Sequence, residues 1–261
     1  MRPLYFGDSR HPLFGAYHDP QGERVREVGV LICNPGPQEY MSSHWALRKQ
    51  ALTLAREGFH VLRFDYYGCG DSAGQTREGT LERWRQDIAA ALEELKDLAG
   101  VRRVCVVGFR LGAALAAQAT IKVKDLVLWE PVVDGRAYLD ELRDMHARVF
   151  AHCLHPPEIG PPGNVHELMG FGFPIEQERA TAAIDLTQPF VCRAERVLIV
   201  ATEPRPQYVA LHERLAAQPP PGTAAVEWVV AQEASRKEQE PFLLLSRSQE
   251  AIAARLGGRP A

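Results

Sequence analysis

Seven short apolar runs, each bounded by turn residues, recur along the chain: PLFGAYH, VGVLICN, FHVLRFDYY, RRVCVVG, DLVLWEP, RVLIVAT and AAVEWVV. Runs of this length punctuated by Gly, Pro and Asn predict β-strands. Between them, apolar residues recur at helical spacing over 42–57, 81–98, 111–119, 207–217 and 241–256. The strand runs are apolar at consecutive positions rather than at every second one, so both faces of the sheet must be covered. That pattern predicts an α/β fold with a mostly parallel sheet of about eight strands and helices on both faces. In such sheets ligands bind beyond the carboxyl ends of the strands. The alternation breaks at 131–190, where helical pieces (GRAYLDELRDMHARVFAHCL) precede the Pro/Gly-rich passage HPPEIGPPGNVHELMGFGFP. A long insertion in a compact domain is usually functional, and 131–190 is expected to form a lid or cap over the strand ends.

Composition narrows the partners without changing the fold. The chain has 261 residues, 46% hydrophobic and 24% charged, and no compositional break divides it, so residues 1–261 are expected to form one domain. A net charge of -3 with Arg and Glu scattered argues against nucleic-acid binding. The N-terminal MRPLYFGDSRHPLFGAYH lacks the apolar core of a signal peptide, and no run is long enough for a membrane span, so a cytoplasmic protein is expected. Cys33, Cys69, Cys105, Cys153 and Cys192 are odd in number and widely spaced. They read as reduced thiols rather than a disulfide framework or a zinc site, and Cys33 and Cys105 read as small buried hydrophobes.

The candidate chemistry centres on VCVVGFRLGAALAAQA, residues 104–119. A buried strand, a Gly-x-x-x-Gly turn and an apolar helix form the elbow on which an α/β-hydrolase presents its nucleophile. Nearly the whole chain resembles that superfamily. GFHVLRFDYYGCGDSAG is similar to the strand and loop of the serine-aminopeptidase-like hydrolases, and VVGFRLGAALAA and LVLWEPVVDGRAYLDELR resemble the exosortase A system-associated hydrolases, found with bacterial exopolysaccharide genes. The resemblance implies an α/β-hydrolase fold and a hydrolytic activity, and it implies that an Arg at the elbow is a trait of the exosortase-associated group.

Position 110 is where Ser, Cys or Asp would stand, and it is Arg. A guanidinium stays protonated and cannot attack a carbonyl. A triad also needs an acid on a later strand and a His last in chain order. Glu203, after RVLIVAT, can fill the acid position, but the chain beyond AAVEWVV contains no His; the last one, His212, sits in a helical stretch. The triad therefore reads as degenerate.

Other candidates carry weaker signals. GDSAG, 70–74, matches Gly-x-Ser-x-Gly as text without the strand-turn-helix context, so Ser72 is a candidate nucleophile only on a non-standard route, as are Cys69 and a Ser43/His44 pair. His44 follows NPGPQ, the segment whose backbone N–H groups near Gln38 or Glu39 would supply half of an oxyanion hole; a surface-helix His is the competing reading. His146, His152, Cys153 and His155 fit no zinc spacing. No metal, nucleotide or flavin is implied, since the chain lacks both a Gly-x-Gly-x-x-Gly after a first strand and a P-loop Lys.

Two readings of Arg110 remain. Buried, it needs a carboxylate, and the strand ending at Gly108 is expected beside the one ending at Glu130, which makes Glu130 or Asp134 the expected partner. Alternatively, Arg110 and the N-terminus of helix 111–119 form a site for a carboxylate, phosphate or sulfate. The pocket is expected to be lined by Gln38, Arg110, Leu111 and Glu130 under the 131–190 cap, with Phe171 and Phe173 as ligand contacts or as packing. The functional expectation is a small-molecule or carrier-linked ligand, anionic or acyl- or glycan-linked, bound at the former active site. A non-standard ester or thioester hydrolase and a non-enzymatic interaction protein are the alternatives.

Overall fold

A computed structural model describes residues 1–22, 24–151, 165–233 and 245–258. Its centre is an eight-stranded sheet of β1 (Arg2–Phe6), β2 (Leu13–His18), β3 (Val28–Cys33), β4 (His60–Phe64), β5 (Arg103–Phe109), β6 (Lys122–Trp129), β9 (Arg193–Ala201) and β10 (Ala225–Val230), in the order β1-β2-β4-β3-β5-β6-β9-β10. β1 and β2 pair antiparallel, β2 joins β4 antiparallel, and every other pairing is parallel. This is the mostly parallel, eight-stranded α/β sheet expected from the alternating elements, in the α/β-hydrolase arrangement that the resemblance implies.

The double-faced burial of the strands explains their unbroken apolar runs. Val104 and Val106 of β5 and Leu126 and Leu128 of β6 join one core cluster. Cys105, Val107 and Phe109, with Val127 and Trp129, join the other. The first is covered by α2 (Leu81–Ala99), α3 (Leu111–Gln118) and α6 (Pro206–Ala217), the second by α1 (Pro37–Arg56) and α7 (Ser246–Gly257). α2 is bounded as its sequence suggests: the Thr80 hydroxyl accepts from the Arg83 N–H at 3.1 Å, and Gly100 closes it with φ 64°, a conformation that is cheap for glycine.

Between β6 and β9 the insertion contributes α4 (Gly135–Phe150), a hairpin of β7 (Val165–Leu168) and β8 (Phe171–Pro174), and α5 (Ile175–Ala182). Asp134 caps α4, its Oδ1 accepting from the N–H groups of Arg136 and Ala137 at 2.8 and 3.1 Å. α4 packs against α5 and β7. No helix among the described residues is long and apolar enough to cross a membrane.

Candidate active site

The turn joining β5 to α3 has the predicted elbow geometry, with Arg110 at its apex at φ 52° and ψ -118°. A positive φ is costly for any residue with a Cβ. Here it is held by the Arg110 N–H donating to Trp129 O at 3.0 Å and by Arg110 O accepting from Ala113 N–H at 3.1 Å. The flanking glycines are sterically required. A Cβ on Gly108 would lie 2.4 Å from Ala113 Cα, and one on Gly112 would lie 2.2 Å from Asn34 O. Only bare backbone lets helix, turn and neighbouring strand approach this closely.

The side chain of Arg110 is largely buried, 13% exposed, and paired, but not with the expected carboxylates. Its Nε donates to Glu39 Oε1 at 2.8 Å, and its Nη2 donates to Glu141 Oε2. Glu39 lies in the first turn of α1 and Glu141 on α4. Glu39 Oε2 also accepts from the Tyr138 hydroxyl at 2.8 Å, and the guanidinium carbon sits 5.3 Å from the centre of the Tyr138 ring. Burial alone would lower the Arg110 pKa, but the charges of Glu39 and Glu141 outweigh it and hold the guanidinium well above its ordinary value. Arg110 is a permanent cation here.

β5 and β6 are neighbours as expected, with Phe109 opposite Trp129. Glu130 is nonetheless turned away: its backbone has φ 46°, Oε2 accepts from the Tyr208 hydroxyl at 2.9 Å, and Oε1 accepts from the Thr202 N–H. Asp134 is occupied as the α4 cap. Both expected partners of Arg110 are thus satisfied locally, and the long guanidinium reaches across to α1 and α4 instead.

Around this pairing lies a cavity of about 870 Å³, a size ordinary for small-molecule sites. Gln38, Arg110 and Glu130 line it, together with Glu39, Glu141 and Arg205. Leu111 does not; its side chain is buried in the core. Much of the remaining wall is apolar and thioether-rich, with Met41, Met145, Val149, Met169 and Phe171. Phe173, by contrast, is a core residue.

The alternative nucleophiles lie away from the cavity. Ser72 Oγ donates to Asp65 O at 2.6 Å and accepts from Phe14 N–H at 2.8 Å, so it ties a loop to β2. Cys69 is not on the cavity wall, and burial pushes its thiol pKa up to about 12. Ser43 is fully buried and donates to Glu39 O at 2.8 Å. His44 packs edge-on against Tyr40 and Trp45, and burial lowers its pKa. Glu203 is exposed, accepts from Arg205 Nε at 2.6 Å and does not line the cavity. His146 accepts from the Met169 N–H at 3.0 Å through Nδ1; His152, Cys153 and His155 lie outside the described residues. No histidine lines the cavity among the described residues.

Residues 30–259 match the family described as "Alpha/beta hydrolase family". The chain belongs to the alpha/beta hydrolase family. Over 91 residues it is 34% identical to the human (Homo sapiens) palmitoyl-protein thioesterase ABHD10, mitochondrial, a stretch covering 35% of this chain and 28% of that protein. The match therefore spans less than a third of that curated relative. Among solved structures, Est1E from Butyrivibrio proteoclasticus with ferulic acid bound superposes with a TM-score of 0.67 at 16% identity, over 98% of both chains. The Pyrococcus furiosus esterase Pf2001 gives 0.58 at 17% identity, over 98% of this chain and 88% of that one. At these identities the likeness is one of fold.

Three site features escape a reading of the sequence: Glu39 as a partner of Arg110, Glu141, and Arg205. Glu39 lies in the segment expected to supply backbone N–H groups, so its position was legible but its carboxylate role was not. Glu141 and Arg205 become neighbours only once α4 is folded over the elbow.

Proposed function

We propose that this member of the alpha/beta hydrolase family has a degenerate triad and uses the former active site to bind a ligand rather than to form an acyl-enzyme. The observation that carries this reading is Arg110 itself: the elbow apex holds a buried guanidinium fixed by two carboxylates, which is neither a nucleophile nor able to become one. The absence of histidine from the described cavity wall supports it, because a hydroxyl on this turn would have no base among the described residues to activate it.

The ligand is amphiphilic. Arginines and carboxylates share the cavity wall with methionines, Val149 and Phe171, a combination suited to an anionic head on an acyl, aromatic or glycan-linked body. That class is consistent with the fold neighbour that carries ferulic acid, and with the resemblance of VVGFRLGAALAA to hydrolases found with exopolysaccharide genes. The described part of the expected cap 131–190, residues 131–151 and 165–190, acts as the lid. Ester or thioester hydrolysis, the chemistry named for the relatives, is the second reading.

Intact-mass measurement after incubation with a fluorophosphonate and, separately, a thiol-reactive acyl probe tests the choice. We expect no adduct under conditions that label a serine esterase fully, because such reagents mark only activated nucleophiles. One stoichiometric adduct, located by peptide mapping, overturns the binding reading and names the nucleophile.

A further inference from the structure

Of the two carboxylates paired with Arg110, Glu141 is the more exposed. It projects from α4, and its hydrogen-bond partners are two arginines on two different core elements. Oε2 accepts from Arg110 Nη2 at the elbow, and Oε1 accepts at 3.2 Å from Arg205 Nη1, in the connection from β9 to α6. One carboxylate thus spans two guanidinium groups at the wall of an open cavity, which is how a bound carboxylate ligand would be gripped. Its side chain is 39% exposed, against 9% for Glu39. Glu39 is locked by Tyr138 as well as by Arg110.

We infer that Glu141 occupies the place of a ligand's own head group, and that the ligand is a monocarboxylate with an apolar tail. This rests on the binding reading above and adds the ligand class and a built-in competitor. With Glu141 in place, the charges of Arg110 and Arg205 are set against the carboxylates of Glu39, Glu141 and Glu203. An incoming monoanion restores that balance once Glu141 swings out, whereas a dianionic phosphate leaves an excess negative charge beside the buried Glu39, which is unfavourable in a poorly solvated site.

The surroundings accommodate the exchange. Tyr138, one turn before Glu141 on α4, keeps its bond to Glu39, so a side-chain rotation suffices and the helix can stay. Gln38 lies on the same cavity wall, and its buried Nε2 has no partner; the exchange has to uncover that atom before it can donate to a carboxylate oxygen. Met145 and Val149, further along α4, and Met41 across the cavity offer adaptable apolar surface for the tail.

The test is calorimetric titration at neutral pH of wild type, Glu141→Gln and Arg205→Gln with octanoate, octanol and octyl phosphate, with thermal melts showing each variant folded. Both altered side chains are part-exposed, so folding is not expected to suffer. Octanoate should bind Glu141→Gln at least ten-fold more tightly than wild type and Arg205→Gln at least ten-fold more weakly, and octanol should bind none of them measurably. Equal octanoate affinity in wild type and Glu141→Gln, with loss in Arg205→Gln, overturns the competitor role and leaves the binding reading standing. Undiminished octanoate binding to Arg205→Gln overturns the two-arginine grip. A preference of Glu141→Gln for octyl phosphate overturns the monocarboxylate assignment. Failure of all three probes with every variant sinks this inference and the anionic-ligand reading together.

Discussion

Arg110 Nε lies 2.8 Å from Glu39 Oε1, so the residue at the apex of the elbow is tied to the first turn of the helix that follows β3. In a catalytic relative the apex must be free to meet substrate; here it is part of the structural frame.

Breaking that tie should be expensive. Both side chains are mostly buried, and removing one member of a buried pair strands the other at a cost of about 3 to 5 kcal/mol. Arg110→Ala should therefore lower unfolding free energy by that amount in urea titrations, and so should Glu39→Gln in part. The double variant Arg110→Met/Glu39→Gln should recover most of the loss, since it leaves no uncompensated charge. A double variant no more stable than Arg110→Ala would mean that the pair is not the source of the cost.

Ser72 is expected to matter for stability alone. Its hydroxyl both donates to Asp65 O and accepts from Phe14 N–H. Ser72→Ala should cost about 1 to 3 kcal/mol, because the part-buried Phe14 amide and the buried Asp65 carbonyl each lose a partner. Ligand affinity and probe labelling should not change; a loss of labelling in this variant, were wild type to label, would restore Ser72 as a catalytic residue.

The elbow and sheet were legible because their signals are local. Unbroken apolar runs record strands buried on both faces, and Gly108 and Gly112 record a turn with no room for Cβ atoms. What was not legible was either weakly patterned or long-range. β1, RPLYF, is an edge strand with mostly exposed residues, so its apolar pattern is thin. α1 begins at Pro37, five residues before the periodic stretch, because proline suits the first helical turn. The partners of Arg110 depended on α4 lying over the elbow, and adjacency of β5 and β6 pointed to Glu130 only because the competing claims of Tyr208 and Thr202 on it leave no trace in local sequence.

Gly112 offers a sharper test of the elbow. An added Cβ would meet Asn34 O at 2.2 Å and Cys33 O at 2.6 Å, backbone atoms that cannot rotate aside. Gly112→Ala should cost about 3 kcal/mol or more, at the upper end of overpacking effects. Gly257→Ala, where the nearest atom is Arg26 Nη2 at 3.6 Å, should leave the melting temperature within a degree or two. Equal melting temperatures for the two variants would contradict the close approach of α3 to β3.

Acid sensitivity should come in part from His18. It is buried on β2 with no partner for Nε2, and burial, helped by the Arg63 charge, lowers its pKa from 6.5 to about 4. The unfolded chain therefore binds a proton at this site below pH 6.5 while the folded protein resists until about pH 4. Stability from this residue is complete above pH 6.5 and lost as pH falls towards 4, by up to about 3.5 kcal/mol at roughly 1.4 kcal/mol per pKa unit. The stability of His18→Gln relative to wild type should accordingly improve as pH is lowered across that window. A pH-independent difference between the two would rule out His18 as the source.

Glu130 and Tyr208 separate the observed arrangement from the one adjacency suggests. If Glu130 neutralised Arg110, Glu130→Gln would strand a buried cation and cost several kcal/mol. In the structure its oxygens accept only from neutral donors, the Thr202 N–H and the Tyr208 hydroxyl. A glutamine can keep its carbonyl on Thr202 and donate its amide to the Tyr208 oxygen, so Glu130→Gln should cost less than about 1 kcal/mol. Tyr208→Phe removes a donor from the Glu130 carboxylate at a fully buried position and should cost more, about 1 to 3 kcal/mol. Urea unfolding of the two variants decides the matter: the reverse order of costs would mean that Glu130 serves the charge of Arg110 after all, and that the Glu39 and Glu141 pairings carry less of the burden than their geometry indicates.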